Sequence, residues 1–185
     1  MGPAYSENIT GANIVNSTSN NHTTQKKFNA DGTSLTITDS ITLSLSAQQT
    51  VHINEKDNGI VTIESGSSIT STGSNAIQGK TQSGLTITNS GTISAGSSKA
   101  INLLNAQSSS VTNNSGGIIK SNTNTISVAE GSGETANNVT INNSGEIYAE
   151  ASSSGTTSNN AIKSENDTDN ITIINNSGGH IHNNN

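Results

Sequence analysis

The sequence predicts an all-β fold: a right-handed, three-sided parallel β-helix with laps of about 25 residues. Three observations carry this reading. First, a hydrophobic-Thr-hydrophobic triplet followed by a Ser-Gly turn recurs along the chain. It reads Leu35-Thr36-Ile37 with Ser40, Val61-Thr62-Ile63 with Ser65-Gly66, and Leu85-Thr86-Ile87 with Ser90-Gly91. It returns at Val111-Thr112 with Ser115-Gly116, Val139-Thr140-Ile141 with Ser144-Gly145, and Ile171-Thr172-Ile173 with Ser177-Gly178. Second, apolar residues are spaced in steps of about eight within a lap, as in Leu43 to Val51, Ile69 to Ile77, Ile93 to Ile101 and Ile118 to Ile126, which divides each lap into three short segments. Third, each segment alternates, Leu35 and Ile37 inward against Thr36 and Thr38 outward, the period of a strand with one buried side. Helix is excluded, because β-branched and turn residues dominate and no i, i+3, i+4 stripe exists.

Taken in order, residues 1–29 fit the repeat poorly and read as an irregular N-terminal coil or cap anchored by Ile9, Ile14, Val15 and Phe28. A cap is expected there because an open end coil is an edge that invites aggregation. Residues 30–185 hold the β-helix repeats. The final strand, Gly179-His180-Ile181-His182, runs into Asn183-Asn184-Asn185 without a cap, so the chain reads as a fragment of a longer solenoid. The six triplet threonines, Thr36, Thr62, Thr86, Thr112, Thr140 and Thr172, should stack as one outward column. The next column would be Thr38, Glu64, Thr88, Asn114, Asn142 and Ile174, too mixed for the flat lattice that ice binding requires. Asn, Ser, Thr and Gly suit the corners, and stacked Asn can form side-chain ladders.

Only 28% of the residues are hydrophobic, with one Phe, two Tyr and no Trp. That composition would suit a disordered segment, but disorder would not keep apolar residues in register lap after lap. A solenoid needs fewer large core residues, because each coil is hydrogen-bonded to its neighbours along its whole length. There is no cysteine and no long apolar run. The basic residues are seven lysines against 13 carboxylates, a net charge of −6, with no basic stripe and no stacking aromatics, which argues against nucleic acid as a partner.

Two stretches are longer than the repeat requires. One surrounds Glu130-Gly131-Ser132-Gly133-Glu134, the other lies between Tyr148 and Asn160. Insertions in solenoids project from corners and commonly form binding faces. Seven of the 13 carboxylates fall between Glu130 and Asp169. The candidate binding residues are therefore Glu130, Glu134, Tyr148, Glu150, Glu165, Asp167 and Asp169. Glu165, Asp167 and Asp169 would lie on a loop between strands; alternating carboxylates could offer oxygen ligands to calcium, but a solvated turn is the simpler reading. His180 and His182 would both point outward from one strand, and two imidazoles make only half a metal site. No cofactor, no metal and no catalytic residue is expected.

The segments Leu85-Thr86-Ile87-Thr88-Asn89-Ser90-Gly91-Thr92-Ile93-Ser94-Ala95 and Val139-Thr140-Ile141-Asn142-Asn143-Ser144-Gly145-Glu146-Ile147 resemble the passenger domains of bacterial type V autotransporters, as do Asn75-Ala76-Ile77 and Lys99-Ala100-Ile101-Asn102. The likeness covers roughly residues 30 to 182. It implies a secreted protein on the surface of a Gram-negative bacterium, a β-helical stalk joined to the outer membrane by a C-terminal barrel not in this sequence. The function so implied is adhesion, cell aggregation or biofilm contact through many weak contacts, as in a virulence-associated adhesin. Its partners would be a host-cell or matrix surface, a glycan, or the same protein on a neighbouring cell. Two alternatives stay open: a toxin-type passenger that oligomerises or acts on host membranes, and a polysaccharide-acting β-helix enzyme. The enzyme would need facing carboxylates about 5 to 9.5 Å apart, and no pair in the sequence stands out for it.

Overall fold

A computed structural model describes residues 5–150 and 159–184. The described chain is a β-solenoid of about five turns, about 26 residues apart, whose strands pair in parallel with their equivalents in adjacent laps. The strands form three sheets, one along each side. Side A begins with Ser6–Ile9, Gln25–Phe28, Val51–Asn54, Ile77–Ser83 and Ile101–Gln107. It then divides into two shorter runs, Ile126–Val128 with Ile162–Ser164 and Thr135–Asn137 with Asp167–Asp169. Side B stacks Ala12–Val15, Ser34–Ile37, Ile60–Ile63, Thr86–Asn89, Ser110–Asn113, Thr140–Asn143 and Thr172–Asn175. Side C stacks Thr42–Leu45, Ser68–Ser71, Thr92–Ala95, Ile118–Ser121, Glu146–Ala149 and His180–Asn183.

Alternation places one aliphatic residue above another inside. Side C contributes Leu43, Ile69, Ile93, Ile119, Ile147 and Ile181 in register. The inward residue of the fourth of these strands is Ile119, not Ile118; with two adjacent isoleucines, spacing alone does not say which one faces the core. Side B contributes Leu35, Val61, Ile87, Val111, Ile141 and Ile173. The next inner column of side B changes character partway along: Ile37 and Ile63 are followed by Asn89, Asn113, Asn143 and Asn175.

Those four asparagines form the ladder that their abundance suggested, but inside the coil. Nδ2 of Asn89 donates to Oδ1 of Asn113, Asn113 to Asn143 and Asn143 to Asn175, each at 2.8 Å. The amides also donate to backbone carbonyls at the corner; for Asn113 these are Gly117 O and Glu146 O, both at 3.1 Å. A buried amide that satisfies its donors in this way escapes the penalty of an unpaired polar group.

The ladder also shifts the threonine columns. Because Asn89 stands level with Ile63, Val61 lies against Ile87, so the Leu85-Thr86-Ile87 triplet sits two residues out of phase with Val61-Thr62-Ile63. The outward columns are therefore Thr36, Thr62, Thr88, Thr112, Asn142 and Ile174, and beside them Ser34, Ile60, Thr86, Ser110, Thr140 and Thr172. A shift of two preserves which side chains face in and which out, so the faces agree with the sequence pattern while the column membership does not.

Residues before side B turn through the left-handed region in nearly every lap. Asn58, Ser108, Asn138 and Asn170 have φ between 48° and 57°, and Gly32 and Gly84 have 68° and 73°. Asparagine tolerates this conformation best among residues with a Cβ, which explains its frequency there. The two ends differ. At the start, residues 6–28 supply strands to sides A and B. Ile9, Val15 and Phe28 are buried there as the anchors expected, but Ile14 alternates outward and is 63% exposed. The buried Lys26 donates to Glu7, which also accepts from Asn21. In the last described lap, Ile173 is 49% exposed although it belongs to an inner column.

Candidate binding face

The seven residues expected to bind do not form one site. Glu130 lies partly buried over the outward column of side A and ties three laps together. It accepts from Ser127 and Asn124 in its own lap, and pairs with Lys99 of the lap before at 3.7 Å and Lys163 of the lap after at 3.5 Å. Burial alone would raise this carboxyl, but the Ser127 hydrogen bond, the Lys99 charge, the Asn124 hydrogen bond and the Lys163 charge together hold it below the usual carboxylate range. Glu165 engages the same Lys163 at 2.6 Å, and Glu134 approaches Lys80 at 4.0 Å. Asp167 and Asp169 lie in a strand rather than a loop, because the second run of side A continues through them in register with Thr135 and Asn137. Both are exposed. Among the described residues, no group of three or more His, Cys, Asp and Glu side chains is arranged to hold a metal ion.

Tyr148 is occupied on both faces. It lies in an outward column of side C, Ser44, Thr70, Ser94, Lys120, Tyr148 and His182. The His182 ring stacks on it with centroids 5.2 Å apart and planes 11° apart, and Lys120 Nζ lies 5.9 Å from its centroid on the cation–π pattern. Lys120 also pairs with Glu150 at 3.4 Å. Tyr148 thus consolidates the side C surface and offers an edge, not a free face. Of the insertion between Tyr148 and Asn160, residues 151–158 lie outside the described residues.

A recess arises at the corner between sides B and C, where one Ser-Gly motif conceals two different turns. At Ser65-Gly66-Ser67, Ser115-Gly116-Gly117 and Ser177-Gly178-Gly179 the middle glycine has φ of 81°, 79° and 83°. Each is closed by a backbone bond, Ser67 N to Glu64 O, Gly117 N to Asn114 O and Gly179 N to Asn176 O. At Ser90-Gly91 and Ser144-Gly145 that left-handed glycine is missing and the corner is shorter. Gly145 occupies the stacking level of Gly117, with the backbone too close for any side chain: a Cβ there would sit 2.2 Å from Gly117 O. A short corner between two long ones is recessed. The recess at Ser144-Gly145 has a volume of about 330 Å³ and is lined by Ser115, Gly116, Gly117, Ile118, Glu146 and His180 among others. Glu146 and His180 are register partners in the second outward column of side C, and both are exposed. The outward columns of the earlier laps carry only Thr42, Ser44, Ser68, Thr70, Thr92 and Ser94 there, so the ring-bearing and charged groups of side C gather at this end. Glu146 and the recess escape sequence reasoning; the one available signal is Ser-Gly-Gly at 115–117 and 177–179 against Ser-Gly at 144–145.

On side A the half-buried His52 stands in the outward column between Lys27 and Gln78. Burial, then the charges of Lys27 and Lys80, push its imidazole below the usual histidine range. A folded-state pKa below the unfolded one, for His52 as for Glu130, means that the unfolded chain takes up protons more readily, so both groups stabilise the rod less as pH falls. Urea denaturation should therefore show the midpoint falling as pH drops through and below about 6.5, the unfolded histidine value, and falling again below about 4.3, the unfolded glutamate value. His52→Gln should flatten the upper limb and Glu130→Gln the lower. An unchanged upper limb in His52→Gln would refute the assignment.

No helix of the described residues is long and apolar enough to cross a membrane. No family model matches the chain, and no curated protein or solved structure is significantly similar to it.

Proposed function

We propose that this chain belongs to a secreted β-helical passenger, held at the surface of a Gram-negative cell by a membrane barrel encoded elsewhere in the full-length protein, and that it acts in adhesion, aggregation or biofilm contact. The observation that supports this reading is the repetition of outward hydrogen-bonding columns. Thr36, Thr62, Thr88 and Thr112 on side B, and Ser44, Thr70 and Ser94 on side C, present the same group once per lap. At the strand spacing of ~4.8 Å such columns offer many equivalent weak contacts instead of one strong one. The engagement of Glu130, Glu134, Glu150 and Glu165 with lysines fits the same picture, since it leaves these carboxylates as braces of the rod.

Cell settling and attachment assays with the full protein displayed on bacteria test the reading. Parent cells should settle and attach faster than cells lacking the rod. Alanine replacement of Glu134, Glu150, Glu165, Asp167 or Asp169 singly should change either rate by no more than about twofold, as expected when contacts are many and weak. Loss of all activity from one carboxylate change would sink the adhesive reading and favour an enzyme.

A further inference from the structure

We propose that the recess over Ser144-Gly145 is a subsite for a neutral, hydroxyl-rich saccharide, an inference that rests on the adhesive role and gives it a ligand. At about 330 Å³ it stands at the small end of ligand sites, which run from about 300 to 1,000 Å³, and suits one or two sugar rings. Its wall is largely backbone: at Gly116 and Gly178 a side chain would stand in open space, and its absence allows a ligand close approach to the peptide groups. Ser115 and Ser144 add hydroxyls that donate or accept. Glu146 projects beside them, exposed and without an ion-pair partner among the described residues, in contrast to Glu130, Glu134, Glu150 and Glu165. A free carboxylate takes two neighbouring hydroxyl donors at once, a geometry that vicinal sugar hydroxyls supply. His180, one lap further along the same column, brings an imidazole to the same opening, and Ile118, one lap back, gives an apolar surface for the C–H face of a ring.

Charge selects among sugars. The lining holds a carboxylate and no lysine, and the chain carries a net charge of −6, so sulfated or carboxylated sugars are repelled. The recess is also singular in its chemistry. The other short corner, Ser90-Gly91, lies between Ser65-Gly66-Ser67 and Ser115-Gly116-Gly117 in the same way, but the position level with Glu146 there is Thr92. A small open site of this kind binds weakly alone and gains strength where many rods meet a repetitive glycan.

The test is a titration of the isotopically labelled chain, followed through its backbone amides, with lactose, maltotriose, cellotriose and triacetylchitotriose as neutral probes and a hyaluronan tetrasaccharide as the anionic one. At least one neutral probe should shift the amides of Gly116, Gly117, Gly145 and Glu146 at millimolar concentration. Glu146→Ala should weaken that response at least tenfold, and Thr92→Ala should leave it unchanged. The proposal is overturned by no shift at the recess with any neutral probe, by shifts confined to other surfaces, by a response to hyaluronan alone, or by a Glu146→Ala chain that binds like the parent. The readout uses the isolated chain, so sugar binding without any effect of the rod on cell settling would defeat the adhesive role and leave the site standing. Settling without sugar binding would do the reverse.

Discussion

Replacing Ile93 by Asp should abolish a stable solenoid around the middle laps. Ile93 is fully buried and lies in register between Ile69 and Ile119. Removing a buried isoleucine side chain costs about 2–5 kcal/mol through lost burial and the cavity left behind. A carboxylate in its place, among aliphatic side chains with no partner, adds several kcal/mol more or is driven to its neutral form. The sum rivals the whole stability of an ordinary domain, about 5–15 kcal/mol. Circular dichroism and urea denaturation should show lost β-signal or a midpoint far below the parent. Thr88→Asp, on the outward face of side B between Thr62 and Thr112, should stay within about 0.5 kcal/mol of the parent. Equal behaviour of the two variants would mean that the inner and outer faces are misassigned.

The second large effect is expected inside the asparagine ladder, and its sign with pH separates it from the first. Asn113 Nδ2 faces three acceptors, the Asn143 side-chain oxygen and the carbonyls of Gly117 and Glu146. Asn113→Asp replaces that donor with an oxygen, so at neutral pH one oxygen of a buried carboxylate keeps the Asn89 donor while the other confronts acceptors only. This should cost more than the roughly 0.5–1.5 kcal/mol of one ordinary hydrogen bond, because the partners are left facing repulsion rather than water. The new carboxyl would have its folded pKa raised, since folding favours its protonated, donating form. The folded state then binds more protons than the unfolded one, and stability returns as pH falls through that raised value towards about 3.9. The parent moves the other way in acid, through His52 and Glu130. Asn113→Leu should lie between the two at neutral pH and lack the acid recovery. A leucine variant as stable as the parent, or an aspartate variant that loses further stability in acid, would show that the ladder does not hold this side together.

The faces of the strands are legible in the sequence because alternation is a local property: Leu35, Ile37, Val61 and Ile63 declare their side through their immediate neighbours. Lap length and the three-sided cross-section are legible for the same reason, repeated. Register is not. Leu85-Thr86-Ile87 copies Val61-Thr62-Ile63 letter for letter in type, yet the stacking sets Ile87 on Val61, because an amide inside the coil replaces an expected aliphatic. Polar residues usually lie outside, and nothing local marks Asn89 or Asn113 as exceptions. The Glu130 brace is hidden for a different reason. Its partners Lys99 and Lys163 are about a lap away on either side, and a three-way contact over that distance leaves no pattern in the chain. The recess at Ser144-Gly145 stays hidden because a Ser-Gly pair reads alike whether its glycine supplies a left-handed turn, as Gly66 does, or absence of a side chain, as Gly145 does.

A wall made only of aliphatic side chains is tolerant of sliding: move one layer by two residues and every greasy group still meets another. The amide column removes that tolerance. A layer displaced by two would thrust one carboxamide among methyl groups and strand the carbonyls it should have served, an error with an immediate energetic signature. Asn89, Asn113, Asn143 and Asn175 therefore work as index marks on a vernier. Each newly added layer is checked against the one beneath it, and a chain whose repeats vary in length from lap to lap can still be wound without losing count.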